Sequence, residues 1–285
     1  MSFRIGLIAA QNKPEALLLA DEIKRWLGTR GCDVISEDNL LAGIAPPSVL
    51  VTLGGDGLIM RMAHEFPDVP ILGINLGKIG FLAMTEREDW ERALTQLIER
   101  HYTVQEGPTL TANLVRAGRS ISEEWAINDV VIRAGMQMIE VQLYIDRQFV
   151  NAYPGDGMIV ATPQGSTAYC MSAGGPVLGA GVKGFAVVPI CPHSPIRTTL
   201  VIPEESLVEL VVVHANGGHL ILDGVPQAEV EEGDVIRVRR GDHLFRLVML
   251  EGMNFYQAFQ KKFNFMIRPD AVPTLHPQPP VNGTR

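Results

Sequence analysis

The sequence predicts an α/β domain built on a parallel sheet, followed by a β-rich, sandwich-like second domain. Apolar strands alternate with helical patterns over the first third of the chain, and short β-rich runs replace them from about Leu110. No apolar run approaches the ~20 residues that a membrane-spanning helix needs.

The elements read in order. Arg4 to Ala10 is an apolar strand, and Pro14 to Leu27 carries apolar residues at helical spacing. Val49 to Leu53 and Ile71 to Asn75 are further strands, separated by a helix from Leu58 to Glu65 that opens after a glycine cluster. Asp89 to Arg100 follows as a helix with Trp90, Ala93, Leu94 and Leu97 on one side. Strand–helix–strand order requires crossover connections, hence a parallel sheet covered on both faces. The later runs are Thr111 to Val115, Ala126 to Arg133, Ile139 to Ile145, Met158 to Ala161 and Phe185 to Ile190. Leu207 to His214, His219 to Leu222, Val235 to Arg239 and Leu244 to Leu250 complete them. Turn residues separate these runs at irregular spacing, as in an antiparallel sandwich. Phe255 to Phe265 places aromatic residues at helical spacing beside Lys261 and Lys262, and the proline-rich stretch beyond Pro269 favours a disordered tail. The divisions drawn are 1–108 (α/β), 109–250 (β-rich), 251–268 (C-terminal segment) and 269–285 (tail).

Composition narrows the function. Across 285 residues, 46% are hydrophobic and 20% charged, and 24 basic against 32 acidic residues leave a net charge of −8. That balance argues against nucleic acid or an anionic membrane as partner, since both attract basic surfaces. A small anionic ligand stays open, because backbone amides bind phosphate whatever the global charge. Cys32, Cys170 and Cys191 are far apart and form no CxxC, so reduced thiols, no zinc site and a cytoplasmic location are expected. The N-terminal residues show no signal-peptide pattern.

Four segments concentrate polar and glycine residues. In Val49 to Leu58 an apolar strand runs into Leu53-Gly54-Gly55-Asp56-Gly57 and then a helix. Amides and a helix N-terminus in such a turn face a ligand phosphate, and glycines let the backbone approach closely or adopt positive φ. A carboxylate there can accept a hydroxyl proton or hold a metal ion. A helix N-cap aspartate explains the same residue, and the turn alone does not choose. The chain has neither GxxxxGK[ST] nor a GxGxxG after its first strand, which removes the P-loop and the usual hydride-transfer fingerprint. In Gly73 to Leu82, Asn75 lies just past a strand, where it can hydrogen-bond a sugar hydroxyl or orient Asp56. Asn128-Asp129 interrupts a β run, as a turn, a bulge or a site would. The run from Pro154 to Pro176 packs Asp156, Thr162, Ser166, Thr167, Tyr169 and Ser172 among glycines, which suits close binding of a polar ligand, with Tyr169 available to pack on a base.

Together and in this order the four segments resemble the NAD kinase family. The GGDG turn is shared with diacylglycerol and sphingoid lipid kinases. The Asn75 to Leu82 element, the Asn-Asp pair, Asp156 to Tyr169 and Ser172 to Pro176 separate the two groups. Pro192 to Arg197 and Gln260 to Phe265 are similar to two further family motifs. The resemblance implies a kinase that moves a phosphoryl group from ATP, or from polyphosphate, to the 2′-hydroxyl of the adenosine ribose of NAD. Asp56 would then take the ribose proton, and Gly54, Gly55 and Gly57 would shape the phosphate site. Asn75 joins them in the ligand site. Asn128 and Asp129 would hold ribose hydroxyls, while Asp156, Thr167, Ala168 and Tyr169 would line the adenine end, with Ser166 and Ser172 also in the cofactor-binding set. Mg²⁺ or another divalent ion would neutralise the transferring group. It also implies an NAD kinase-like fold whose C-terminal segment returns to the first domain, and a homodimer or homotetramer sharing the NAD site between subunits. The chain departs from the family pattern at Leu58 and Gln164 (threonine in the family), Pro154 (basic), Cys170 (serine) and Val225 (glutamine). Leu58 and Pro154 touch phosphate and substrate contacts, which keeps a catalytically weak NAD(P)-binding sensor or partner subunit as an alternative beside a lipid kinase.

Overall fold

The computed structural model describes residues 3–43, 46–77, 80–193, 197–256, 258, 259 and 262. The α/β part runs β1 (Arg4–Ala9), α1 (Pro14–Gly28), β2 (Asp33–Ser36), α2 (Glu37–Leu41), β3 (Val49–Gly54), α3 (Asp56–Glu65), β4 (Ile71–Asn75), β5 (Thr85–Glu86) and α4 (Trp90–Ile98). The β-rich part begins with β6 (Tyr102–Arg116), β7 (Arg119–Ala126), β8 (Asp129–Arg133), β9 (Ile139–Ile145), β10 (Gln148–Gly155), β11 (Gly157–Ala161) and α5 (Tyr169–Ser172). It continues through β12 (Gly184–Ile190), β13 (Leu200–Pro203), β14 (Val208–His214), β15 (His219–Leu222), β16 (Val225–Glu229) and β17 (Val235–Leu250).

The apolar runs of β1 and β3 are buried on both faces, as a parallel sheet demands. Ile5, Leu7, Val49, Val51 and Leu53 pack against α1 and α4. Ile8 and Leu50 point the other way, against Leu40 of α2 and Ile59 and Met62 of α3. The strand order β4-β3-β1-β2 is parallel throughout.

One strand joins the two parts. β17 pairs antiparallel with β6 from Val235↔Val115 to Leu250↔Tyr102. Its first half also pairs with β14, and Leu247 reaches Ile71 of β4. The parallel strands and the β10-β9-β14 wing therefore belong to one eleven-stranded mixed sheet. The runs Val235 to Arg239 and Leu244 to Leu250 are one strand, not two, interrupted by an irregularity between Arg240 and Leu244. A bulge of this kind bends a ribbon without ending it, and Gly241 fits there because a Cβ would overlap Thr109 Oγ1.

A six-stranded antiparallel sheet, β13-β12-β11-β8-β15-β16, packs on the wing. Leu110, Leu143, Phe185, Leu210 and Ile236 fill the space between the layers. The far face of the smaller sheet buries Val131, Ile159, Ala161 and Val188 against Cys170 and Leu178. The sandwich expected from the short runs is present.

The C-terminal segment returns to the α/β part. Phe255, Tyr256, Ala258, Phe259 and Lys262 are helical, and the Phe255 and Phe259 rings each stand 6.4 Å from Phe81. The rest of the helix expected over Phe255 to Phe265 and the proline-rich tail lie outside the described residues. Among the described residues, no helix is long and apolar enough to cross a membrane.

Candidate active site

Asp56 is the first residue of α3, and the helix cap is Gly55, whose backbone is extended. The carboxylate does not cap its own helix. It crosses to the segment after β4 and accepts the N–H groups of Phe81 (2.8 Å, Oδ2), Leu82 (3.1 Å, Oδ1) and Ala83 (2.9 Å, Oδ1). These amides have left the β4 ladder, and an unmet buried amide costs about 1–3 kcal/mol. A carboxylate offers about four lone-pair sites, so Asp56 keeps one, on Oδ2. Gly80 allows the approach, because a Cβ there would overlap Asp56 Oδ1.

The glycines of the turn do not serve in the way positive φ would suggest. Gly54, Gly55 and Gly57 are absent from the left-handed residues. At Gly55 and Gly57 a Cβ would meet nothing within 4 Å, so these two leave open space at the start of α3. Leu58 packs its side chain against Gly54 and the core below. Asn75 is the register partner of Gly54; it is buried and its Nδ2 donates to the Gly77 carbonyl (3.0 Å). The amides of Phe81 to Ala83, not Asn75, orient Asp56.

A second carboxylate repeats the device. The sequence break at Ile127-Asn128 separates β7 from β8, and its amides turn onto Asp223. Asp223 Oδ2 accepts from Ile127 (2.7 Å), and Oδ1 accepts from Asn128 (2.6 Å) and Asp129 (3.1 Å). His64, in the last turn of α3, brings Nε2 to 2.8 Å from the same Oδ2. The carbonyls of Ile127 and Asn128 accept from Thr162 Oγ1 at 2.6 and 3.2 Å. Asp223 was not among the residues singled out from the sequence. Asp223-Gly224 is the two-residue turn of the β15–β16 hairpin, with φ of 48° and 80°, and a turn accounts for an Asp-Gly pair by itself.

Both carboxylates open on one cleft of about 820 Å³, within the size range of small-ligand sites. Asp56, Gly57 and His64 of α3 form one wall, and Asn128, Thr167, Ala168 and Asp223 line the other side. Lys262 also lines it, with its ammonium 3.9 Å from the centre of the Phe81 ring. Nothing in the sequence marks Lys262 as a site residue beyond its place in the Lys261-Lys262 pair.

Thr167 and Ala168 are brought into this cleft, whereas Asp129, Asp156, Ser166, Tyr169 and Ser172 are not among its lining residues. Asp129 lies at the start of β8, only 4% exposed. Burial, and then the charge of Asp223, push its carboxyl up to about 7. Ser166 is buried, its hydroxyl donating to the Pro163 carbonyl and accepting from the Leu178 amide. Thr167 donates to the Gln164 carbonyl. Tyr169 is half-buried with the Arg133 guanidinium 5.8 Å from its ring centre, and Asp156 and Ser172 are exposed. Pro154 lies in β10 opposite Glu140. Gln164 ties the loop to β6 by donating to the Pro108 carbonyl (2.6 Å). The cysteines are free, and burial and then Asp129 raise the Cys170 thiol to about 12. Among the described residues no three His, Cys, Asp or Glu side chains cluster as metal ligands.

Comparison with known proteins identifies the family. The family model of the ATP-NAD kinase C-terminal domain matches residues 127–250, and that of the N-terminal domain matches 45–102. An NAD kinase of Thermomicrobium roseum is 61% identical over 274 residues, covering 96% of each chain. The chain belongs to the NAD kinase family. An NAD kinase of Acetivibrio thermocellus is 36% identical, over 91% of this chain and 96% of that one. Among solved structures, yeast NADH kinase complexed with NADH has the same fold, with a TM-score of 0.82 at 22% identity over 96% of this chain and 90% of that one. An NAD kinase from Archaeoglobus fulgidus in complex with ATP gives a TM-score of 0.73 at 25% identity, covering 91% and 98%. Neither a lipid kinase nor a catalytically weak relative is favoured by these matches.

The NAD kinase cleft yields two expectations. Gly80→Ala displaces the Asp56 carboxylate, so NADP formation should fall about 100-fold or more with the fold retained by circular dichroism; a folded variant at wild-type rate would contradict this. The raised Asp129 carboxyl favours the folded state most below the ordinary carboxylate range. That contribution is lost as pH rises towards about 7, because the folded chain holds a proton that the unfolded chain has released. Relative to wild type, Asp129→Asn should therefore gain stability between pH 5 and pH 8, by as much as about 3 kcal/mol in urea titrations. An equal offset at both pH values would refute the assignment.

Proposed function

We propose that this NAD kinase transfers the γ-phosphoryl group of ATP to the 2′-hydroxyl of the adenosine ribose of NAD, giving NADP, with Asp56 as general base. The observation that carries the reading is the fourth acceptor site of Asp56. Three amides fix the carboxylate, and its remaining lone pair on Oδ2 belongs to a residue lining the cleft. Asn128 and Asp129 hold ribose hydroxyls beside it, and Thr167 and Ala168 line the adenosine end. Tyr169, Ser166, Ser172 and Asp156 extend that end.

In the step itself Asp56 accepts the 2′-hydroxyl proton as the ribose oxygen attacks the γ-phosphorus. The bond from that phosphorus to its bridging oxygen breaks, and ADP leaves with the electron pair. Gly55 and Gly57 leave room for phosphate at the N-terminus of α3, where unpaired amides favour anions. Lys262 adds a positive charge across the cleft. The described residues build no cage for a divalent ion; such an ion, Mg²⁺ by preference, would ride on the donor phosphates and supply charge neutralisation.

The same reading includes a second copy of the chain. Asp156 and Ser172 face solvent in the single chain, which supports a homodimer or homotetramer that completes the dinucleotide site. The division at 108/109 is supported by its place at the irregularity of the β6–β17 ribbon, where Pro108 pairs with Leu244. Free thiols support a cytoplasmic location.

Purified protein given NAD, ATP and Mg²⁺ should form NADP, and Asp56→Asn should lower kcat about 10²- to 10⁴-fold while calorimetry shows NAD binding retained. Undiminished turnover by Asp56→Asn would remove the base from the mechanism. Replacing ATP by polyphosphate in the same assay identifies the donor.

A further inference from the structure

His64 has no part in the chemistry above, yet it stands at the joint of the cleft. Asp56 and His64 are the first residue and a last-turn residue of α3, about 12 Å apart along a rigid helix. Asp223 belongs to the β15–β16 hairpin, and its buried carboxylate already holds the amides of Ile127, Asn128 and Asp129. The His64 Nε2 contact of 2.8 Å supplies a fourth donor to that carboxylate. It links the helix that carries the base to the loop that faces it.

The imidazole is itself fixed. It packs against Trp125 of β7 with ring centres 4.3 Å apart and planes tilted by 42°. Trp125 packs in turn against His243, with ring centres 4.8 Å apart and planes tilted by 50°. His243 meets Asp68, just beyond α3, through Nδ1 at 3.1 Å. Asp68 also accepts the Leu244 amide of β17 at 2.8 Å. The C-terminal end of α3 is thus gripped from β7, β17 and the hairpin together, and His64 is the member that touches the Asp223 carboxylate.

We propose that His64 is a positioning residue: through Asp223 it sets the Ile127–Asp129 loop at a fixed distance from Asp56, and so holds the acceptor ribose in register with the base. The inference rests on the reading that Asn128 and Asp129 hold the ribose. A register of this kind bears on the dinucleotide and not on the phosphoryl donor, whose phosphates meet the opposite end of α3. Loss of a hydrogen bond to a charged group is worth about tenfold or more in the affected step.

Two variants separate the hydrogen bond from the packing. His64→Phe keeps a ring on Trp125 and removes the donor; His64→Gln keeps a donor and removes the ring. Steady-state kinetics of the full chain should show kcat/KM for NAD falling about tenfold or more in His64→Phe, KM for ATP within about twofold of wild type, and His64→Gln restoring most of the loss. Wild-type kinetics in His64→Phe would overturn the proposal. So would equal impairment of both variants, or a loss in His64→Gln alone, since either outcome makes the ring and its packing the contribution. Asn128→Ala serves as the separate control: an unchanged KM for NAD in that variant defeats the ribose reading itself, whatever the His64 pair shows.

Discussion

Where a chain leaves its sheet to make room for a ligand, its amide N–H groups lose their partners, and the NAD kinase cleft is built around meeting that need twice. The amides of Phe81 to Ala83 and of Ile127 to Asp129 each converge on one carboxylate supplied from a distant element. Hydrogen bonds to an ionised acceptor are roughly twice as strong as neutral ones, so each carboxylate fixes a loop that would otherwise carry buried, unmet donors. The α/β part and the sandwich meet across these two loops, and the long β6–β17 ribbon holds the parts in one sheet behind them.

The two carboxylates differ in one count, and under the proposed mechanism that count separates their roles. Asp223 receives three amides and His64, which fills its acceptor sites. Among the described residues, Asp56 receives three amides alone. A filled carboxylate organises; one with a lone pair left can take a proton from a bound hydroxyl. Nearby, Asp129 is buried beside the negative Asp223 and titrates near neutrality.

Much of the fold was legible because central strands are apolar on both faces. β1, β3, β4, β8, β11, β12 and β14 all declare themselves in this way. The strands that escaped were β2, β5, β7, β10, β13 and β16, and every one lies at an edge or pairs with a single neighbour. β16 (VPQAE) and β10 (QFVNAYPG) contain proline and polar residues that an edge tolerates and a centre does not. At the site, the Gly-Gly-Asp-Gly turn and the Asn-Asp break were visible because they interrupt apolar runs. Their anchors were not. The amides that hold Asp56 lie 25 residues further on and belong to backbone, which has no side-chain signature. Asp223 was hidden by its own turn chemistry, and His64 was a single histidine at a helix end. Lys262 was noticed only as half of a basic pair.

The account stands most directly on where the acceptor hydroxyl sits. The decisive measurement is a crystal structure of the chain with NAD bound. It should place the adenosine 2′-oxygen within about 3 Å of Asp56 Oδ2, while Oδ1 keeps the amides of Leu82 and Ala83. A 2′-oxygen out of reach of Asp56, or an Asp56 carboxylate released from those amides, would contradict it.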